Sequence, residues 1–133
     1  MLAEPTVTVL GPDPAHRKCI LNGNAFQQDA ITSLNGWQYA AFYSGLDSDE
    51  PEPLYVHVSR RKLPSAEWQV LVLDDYPQTV DDGHNTVQIG VCPGDGTIHL
   101  SYDHHCDMYV HSQKLEIPSM GKLEVGSDLT SVI

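Results

Sequence analysis

The residues best suited to chemistry crowd into one stretch, Asp74 to Asp107, which reads DDYPQTVDDGHNTVQIGVCPGDGTIHLSYDHHCD. His84 follows a glycine there, and the adjacent His104 and His105 stand near its end. Imidazole is the side chain that exchanges protons most readily near neutral pH, so such a grouping points to general acid–base work. Three nearby carboxylates, Asp82, Asp103 and Asp107, are placed to orient an imidazole or to raise its basicity. His84 precedes a strand-like run, and His104 follows the run that returns from it. A hairpin joining the two runs sets both histidines at one edge. Strand alternation then puts His104 on a face with Leu100 and Tyr102, and His105 on the opposite face with His99, Ser101 and Asp103. Only one of the adjacent pair can share a pocket with His84, and spacing alone does not choose between them.

Other chemistries fit less well. His84, His104 or His105, and Cys106 are zinc ligands by type. A His-His-Cys run in a strand does not easily converge on one ion, so the expectation is no metal and no cofactor, with structural zinc as the minor alternative. No GxSxG string marks a serine nucleophile. GVCPGDG sits between two strand-like runs instead of opening a helix, which makes it a turn and not a phosphate loop. The cysteines Cys19, Cys92 and Cys106 are odd in number and form no CxxC, so they read as unpaired thiols, with one disulfide as the alternative.

Short antiparallel strands must position these groups. The run 29–34, the pair Asn35-Gly36 and the run 37–44 form the strongest hairpin signal in the chain. An acidic, proline-containing loop at 47–53 leads to a strand at 54–60, with Tyr55, His57 and Ser59 on one face and Val56 and Val58 on the other. A turn at 63–65 leads to a fourth strand at 68–73. Four antiparallel strands in this length make one propeller blade. The pattern recurs with strands at 86–92, 97–103 and 108–112, and one more near 122–125. Asn35-Gly36-Trp37 aligns with Asp95-Gly96-Thr97 at an offset of 60, and LYVHVS from 54 aligns with MYVHSQ from 108 at an offset of 54. The expected fold is all-β: a partial β-propeller of about two four-stranded antiparallel blades in an incomplete ring, one domain over 1–133 with blades at about 25–75 and 84–126. Trp37, Tyr39, Tyr43, Tyr55 and Trp68 are expected to fill the space between blades, with stacking on sugar rings as the alternative.

The chain has 18 Asp and Glu against 7 Lys and Arg, a net charge of -11. That surface repels phosphate backbones, so nucleic acid is not an expected partner. It also gives no long-range pull on an acidic polysaccharide; such a ligand needs a local cationic pocket. The apolar runs fall short of a membrane span, and the first residues, MLAEPTVTVLGPDPAH, lack a signal-peptide pattern, so location is left open.

Taken together, NGWQYAAFYSG, VSRRKLPSAEWQVLVLDDY and DDGHNTVQIGVCPGDGTIHLSYDHH resemble the BNR-4 type of BNR-repeat proteins. These are seven-bladed propellers that include ulvan lyases, fungal rhamnose–glucuronate lyases and rhamnosidase-like enzymes. The likeness runs from about residue 22 to 107. It implies a polysaccharide or oligosaccharide substrate, β-elimination beside a uronate, and secreted full-length relatives. It also implies a catalytic pair, His84 and His104, with His105 in reserve, and substrate contacts at Asn85, Tyr102 and His105. The family's further catalytic Tyr and Arg belong to later blades, so these 133 residues are expected to be a fragment with little or no activity alone. A non-catalytic carbohydrate-binding or protein-interaction module is the alternative.

Overall fold

The computed structural model describes residues 4–11, 29–46, 53–78, 80–102, 105–106 and the backbone of 111–115. Within them the chain is all-β, with the element order β1 (Ile31–Leu34), β2 (Trp37–Gly45), β3 (Leu54–Lys62), β4 (Gln69–Pro77), β5 (Gln88–Val91), β6 (Ile98–Tyr102) and β7 (His111–Leu115). The first four strands form one antiparallel meander and the last three a second. This is the architecture of a partial β-propeller. Among the described residues no helix is long and apolar enough to cross a membrane.

Turn chemistry fixes the first hairpin. Asn35 (φ 50°) and Gly36 (φ 76°) both lie in the left-handed region. That is what a two-residue type I′ turn demands, because its twist matches that of the flanking strands. The second hairpin uses a longer loop, closed by Cys92 N–H donating to Thr97 O at 2.8 Å. Asp95 Oδ1 accepts from both the N–H and the hydroxyl of Thr97, at 3.0 and 2.8 Å, and Gly96 takes φ 77°.

The pairing register supports the internal repeat. Ala40 lies opposite Ser59, and Leu100 lies opposite Gln113. Those partners correspond under the sequence offsets of 60 and 54. β7 spans His111–Leu115, with His111 opposite Tyr102, and the stretch 108–110, where its start is expected, lies outside the described residues. β4 is longer than expected, reaching Pro77, with a register shift that carries the partner of Tyr55 from the neighbourhood of Leu73 to Pro77. β5 is shorter, leaving Thr86 and Val87 buried but outside the ladder. The strand expected near 122–125 lies outside the described residues.

One apolar core joins the two sheets. Tyr39, Ala41, Tyr43, Val56, Val58 and Leu73 from the first meet Ile89, Ile98, Leu100 and Tyr102 from the second, together with Val87 just before β5. Each large side chain so buried contributes roughly 1.5–3 kcal/mol. β3 departs from simple one-face alternation. On its other face His57 stacks on Phe42, with centroids 5.5 Å apart, and the N-terminal segment passes over Phe42 at Gly11. Burial holds the His57 ring below the usual histidine pKa, and its Nδ1–H donates to Tyr55 O at 3.1 Å. Tyr39 and Tyr43 fill the core as expected, whereas Trp37 only borders it.

The glycine turns give a direct test. A Cβ at Gly36 meets only the flexible end of Lys62, at 3.3 Å, and one at Gly96 meets open space. Sterics with neighbours are therefore minor, and Gly36→Ala and Gly96→Ala are each expected to cost about 1–2 kcal/mol from backbone strain alone, read as a lower urea midpoint.

Candidate functional site

The chain leaves β4 at Pro77 and crosses to the second sheet through a loop that makes its own turn at Asp82-Gly83-His84-Asn85. Asp82 Oδ1 accepts the N–H of His84 at 2.8 Å, and Asp82 O accepts the N–H of Asn85 at 3.1 Å. Asp and Asn favour such turns because a short polar side chain can bond to backbone two residues on. The same carboxylate oxygen lies 2.6 Å from His84 Nδ1. Its second oxygen, Oδ2, lies 3.1 Å from His105 Nδ1. One carboxylate thus spans two imidazoles, whose centroids are 4.5 Å apart with planes tilted by 46°.

Hydrogen bonds from His84 hold the Asp82 carboxyl well below the usual carboxylate range; partial burial opposes this, and His105 adds to it. An ionised carboxylate only accepts, so both Nδ1 atoms carry the donated protons. In a neutral ring this makes Nε2 the basic nitrogen. The group is open to solvent: the side chains of His84, His105 and Asp82 are 61, 46 and 24% exposed.

The structure sorts the expected site residues. His84 and His105 come together. His104 lies outside the described residues, as do Asp103 and Asp107. A strand running through 105 would set its side chain by alternation, but His105 and Cys106 form a bend with Cys106 at φ 58°, and His105 Nδ1 lies 3.1 Å from Asp82 Oδ2. Asn85 and Tyr102, expected to touch substrate, are both 1% exposed. Asn85 Oδ1 accepts the His105 N–H at 2.7 Å, and its amide donates to Val80 O at 3.4 Å. The Tyr102 ring packs against Tyr76 with centroids 5.7 Å apart. Both side chains are buried among the described residues, and Asn85 bonds directly to the backbone of His105.

Donor atoms of Asp82, His105 and Cys106 lie within 4.8 Å of one another, a set zinc can use. The left-handed Cys106 removes the strand objection to convergence, bringing Sγ to 3.3 Å from His105 Nδ1. Yet both Asp82 oxygens already accept from imidazoles, and those bonds account for the geometry without an ion. Cys92 and Cys106 are free thiols, and Cys19 lies outside the described residues.

A feature the sequence reading passed over stands at the other end of the first sheet. Trp37, Arg60, Arg61, Lys62, Ser65 and Trp68 help line a cleft of about 210 Å³. The signal was present as consecutive cations between the two tryptophans of an acidic chain.

Residues 37–127 match the BNR_4 family, described as BNR repeat-containing family member. No curated protein matches the chain. Among solved structures, it is similar to the crystal structure of polysaccharide lyase Uly1, with 27% identity and a TM-score of 0.49 over 61% of this chain. The aligned region spans 17% of that lyase's chain.

Two measurements test the local geometry. Asn85→Ala strands the His105 N–H and is expected to cost about 1–3 kcal/mol in urea unfolding. Asp82 has a folded pKa depressed below its ordinary 3.8, so the unfolded chain binds its proton more readily. Its contribution to stability is then complete above that value and lost as pH falls through the depressed one. Urea midpoints measured downward from about pH 5 should show this loss in the parent chain, and the component should vanish in Asp82→Asn.

Proposed function

The chain belongs to the BNR_4 family of BNR repeat-containing proteins, and from that premise we propose that it supplies the histidine-bearing part of a polysaccharide-lyase-like β-propeller acting on uronate-containing glycans. One observation carries the reading: Asp82 grips His84 Nδ1 at 2.6 Å while also reaching His105 from the next sheet. That is how a carboxylate fixes the tautomer and direction of an imidazole meant to move protons.

In β-elimination beside a uronate, a base takes the proton from C5. The electrons form the C4–C5 double bond, the C4–O bond breaks, and the leaving oxygen is protonated. His84, with its Nδ1–H committed to Asp82, offers Nε2 as the base. A second histidine, His105 on the described geometry or its neighbour His104, returns a proton or neutralises the uronate carboxylate. Asn85 holds His105 in place by its backbone. Groups that stabilise the carboxylate as charge builds at C5 belong to other blades of the ring in this reading. Such preorganised donors supply much of the rate.

Ulvan and a rhamnose–glucuronate glycan, with unsaturated uronate read by ultraviolet absorbance, test the reading. The 133-residue chain is expected to give trace turnover at most. His84→Ala should lower whatever rate is present by about 10²-fold or more. Vigorous turnover by these residues alone would refute the need for other blades. Saturated products would replace elimination by hydrolysis, as in a rhamnosidase-like glycosidase, and activity indifferent to His84 would end the proposal.

A further inference from the structure

The cleft at the far end of the first sheet is separate from the histidine cluster by topology. Trp37 pairs with Lys62 and Arg60 with Gln69 at that end. Gly45 pairs with Leu54 at the opposite end, where β4 runs out at Pro77 toward the 82–85 turn. Successive residues of a strand point to opposite faces, yet at this sheet end Arg60, Arg61 and Lys62 all line the one cleft.

Arg61 and Lys62 are held but, among the described residues, not neutralised. The Arg61 guanidinium lies 4.8 Å from the Trp68 ring centroid and donates through Nε to Gln38 Oε1 at 2.8 Å. Lys62 Nζ stands 5.2 Å from the Trp37 ring centroid and donates to Asn35 O at 3.1 Å. Behind them Arg60, 1% exposed, sits 4.8 Å from the centroid of Trp37. Among the described residues neither Arg61 nor Lys62 forms an ion pair, in a chain with 18 Asp and Glu. Even Glu67, which lines the cleft, is not paired with them. The terminal nitrogens of Arg61 form a planar fork suited to a carboxylate. Among the described residues the buried indole N–H of Trp68 has no acceptor. Two indole walls offer apolar surface to the C–H face of a sugar. The volume, about 210 Å³, suits one ring and not a longer segment.

We infer that this cleft is a second, non-catalytic site that binds a carboxylate-bearing sugar unit of a glycan through Arg61, Lys62 and the two indoles. The inference takes its ligand class, an acidic glycan, from the proposed function but does not rest on the elimination chemistry. It gives a strongly acidic chain the local positive charge it needs to hold an acidic polysaccharide.

Both tryptophans of the chain line the cleft, so their emission reports on it directly. Oligogalacturonate titrated into the intact chain should change that emission saturably, and added salt should weaken the effect. Arg61→Gln with Lys62→Gln should raise the apparent Kd about tenfold or more, while His84→Ala leaves it unchanged. A flat titration, or a double variant that binds like the parent, overturns the site. An equal response to a neutral galacto-oligosaccharide overturns the carboxylate requirement. Equal saturation by inorganic phosphate or polyglutamate overturns the sugar requirement. Loss of the response in His84→Ala moves the ligand to the histidine cluster and likewise overturns the inference. If circular dichroism shows the double variant unfolded, the parent's contrast between acidic and neutral oligosaccharide, together with its salt dependence, decides the matter.

Discussion

Two sheets that bury their apolar faces against each other must still satisfy the polar backbone of segments that cross between them. At the 80–105 end of this molecule that duty falls on Asn85. Its buried side chain accepts from His105 N–H and donates to Val80 O, tying a loop that leaves the first sheet to one that leaves the second. An unpaired buried amide is costly, so this bond resists any relative movement of the two loops. The bridge from Asp82 to two imidazoles spans the same two loops.

Much of this arrangement was legible in the residues themselves. Asn35-Gly36 announces a type I′ turn because few other residues tolerate two successive left-handed positions. The repeat offsets anticipate which residues of β6 and β7 face each other. What could not be read was where regular pairing stops. Nothing in the residues themselves says that His105 and Cys106 form a bend, since where pairing stops depends on the partner strand and on the route of the loop. Among the described residues it is His105 that meets His84. Asn85 and Tyr102 were legible as positions near the site but not as buried ones, because burial there comes from the neighbouring sheet.

Charge organises the two ends of the first sheet differently. At one end a carboxylate stabilises a pair of imidazoles, and at the other guanidinium and ammonium groups lie over indoles. Cation–π contact holds a cation without neutralising it, which a salt bridge would do. Arg60 shows the limit of this scheme: burial pulls its pKa down, and its charge acts on the adjacent Tyr39, whose hydroxyl burial pushes up.

The two hairpins also show how the fold absorbs changes in chain length. The first closes over two residues, and the second runs through Pro93-Gly94-Asp95-Gly96. The strands on either side keep corresponding partners in both sheets. Registry is therefore written in the apolar interlock, and hairpin tips act as slack. Variation in their length can reshape a rim of the molecule while the spacing of side chains deeper in the sheets stays as it was.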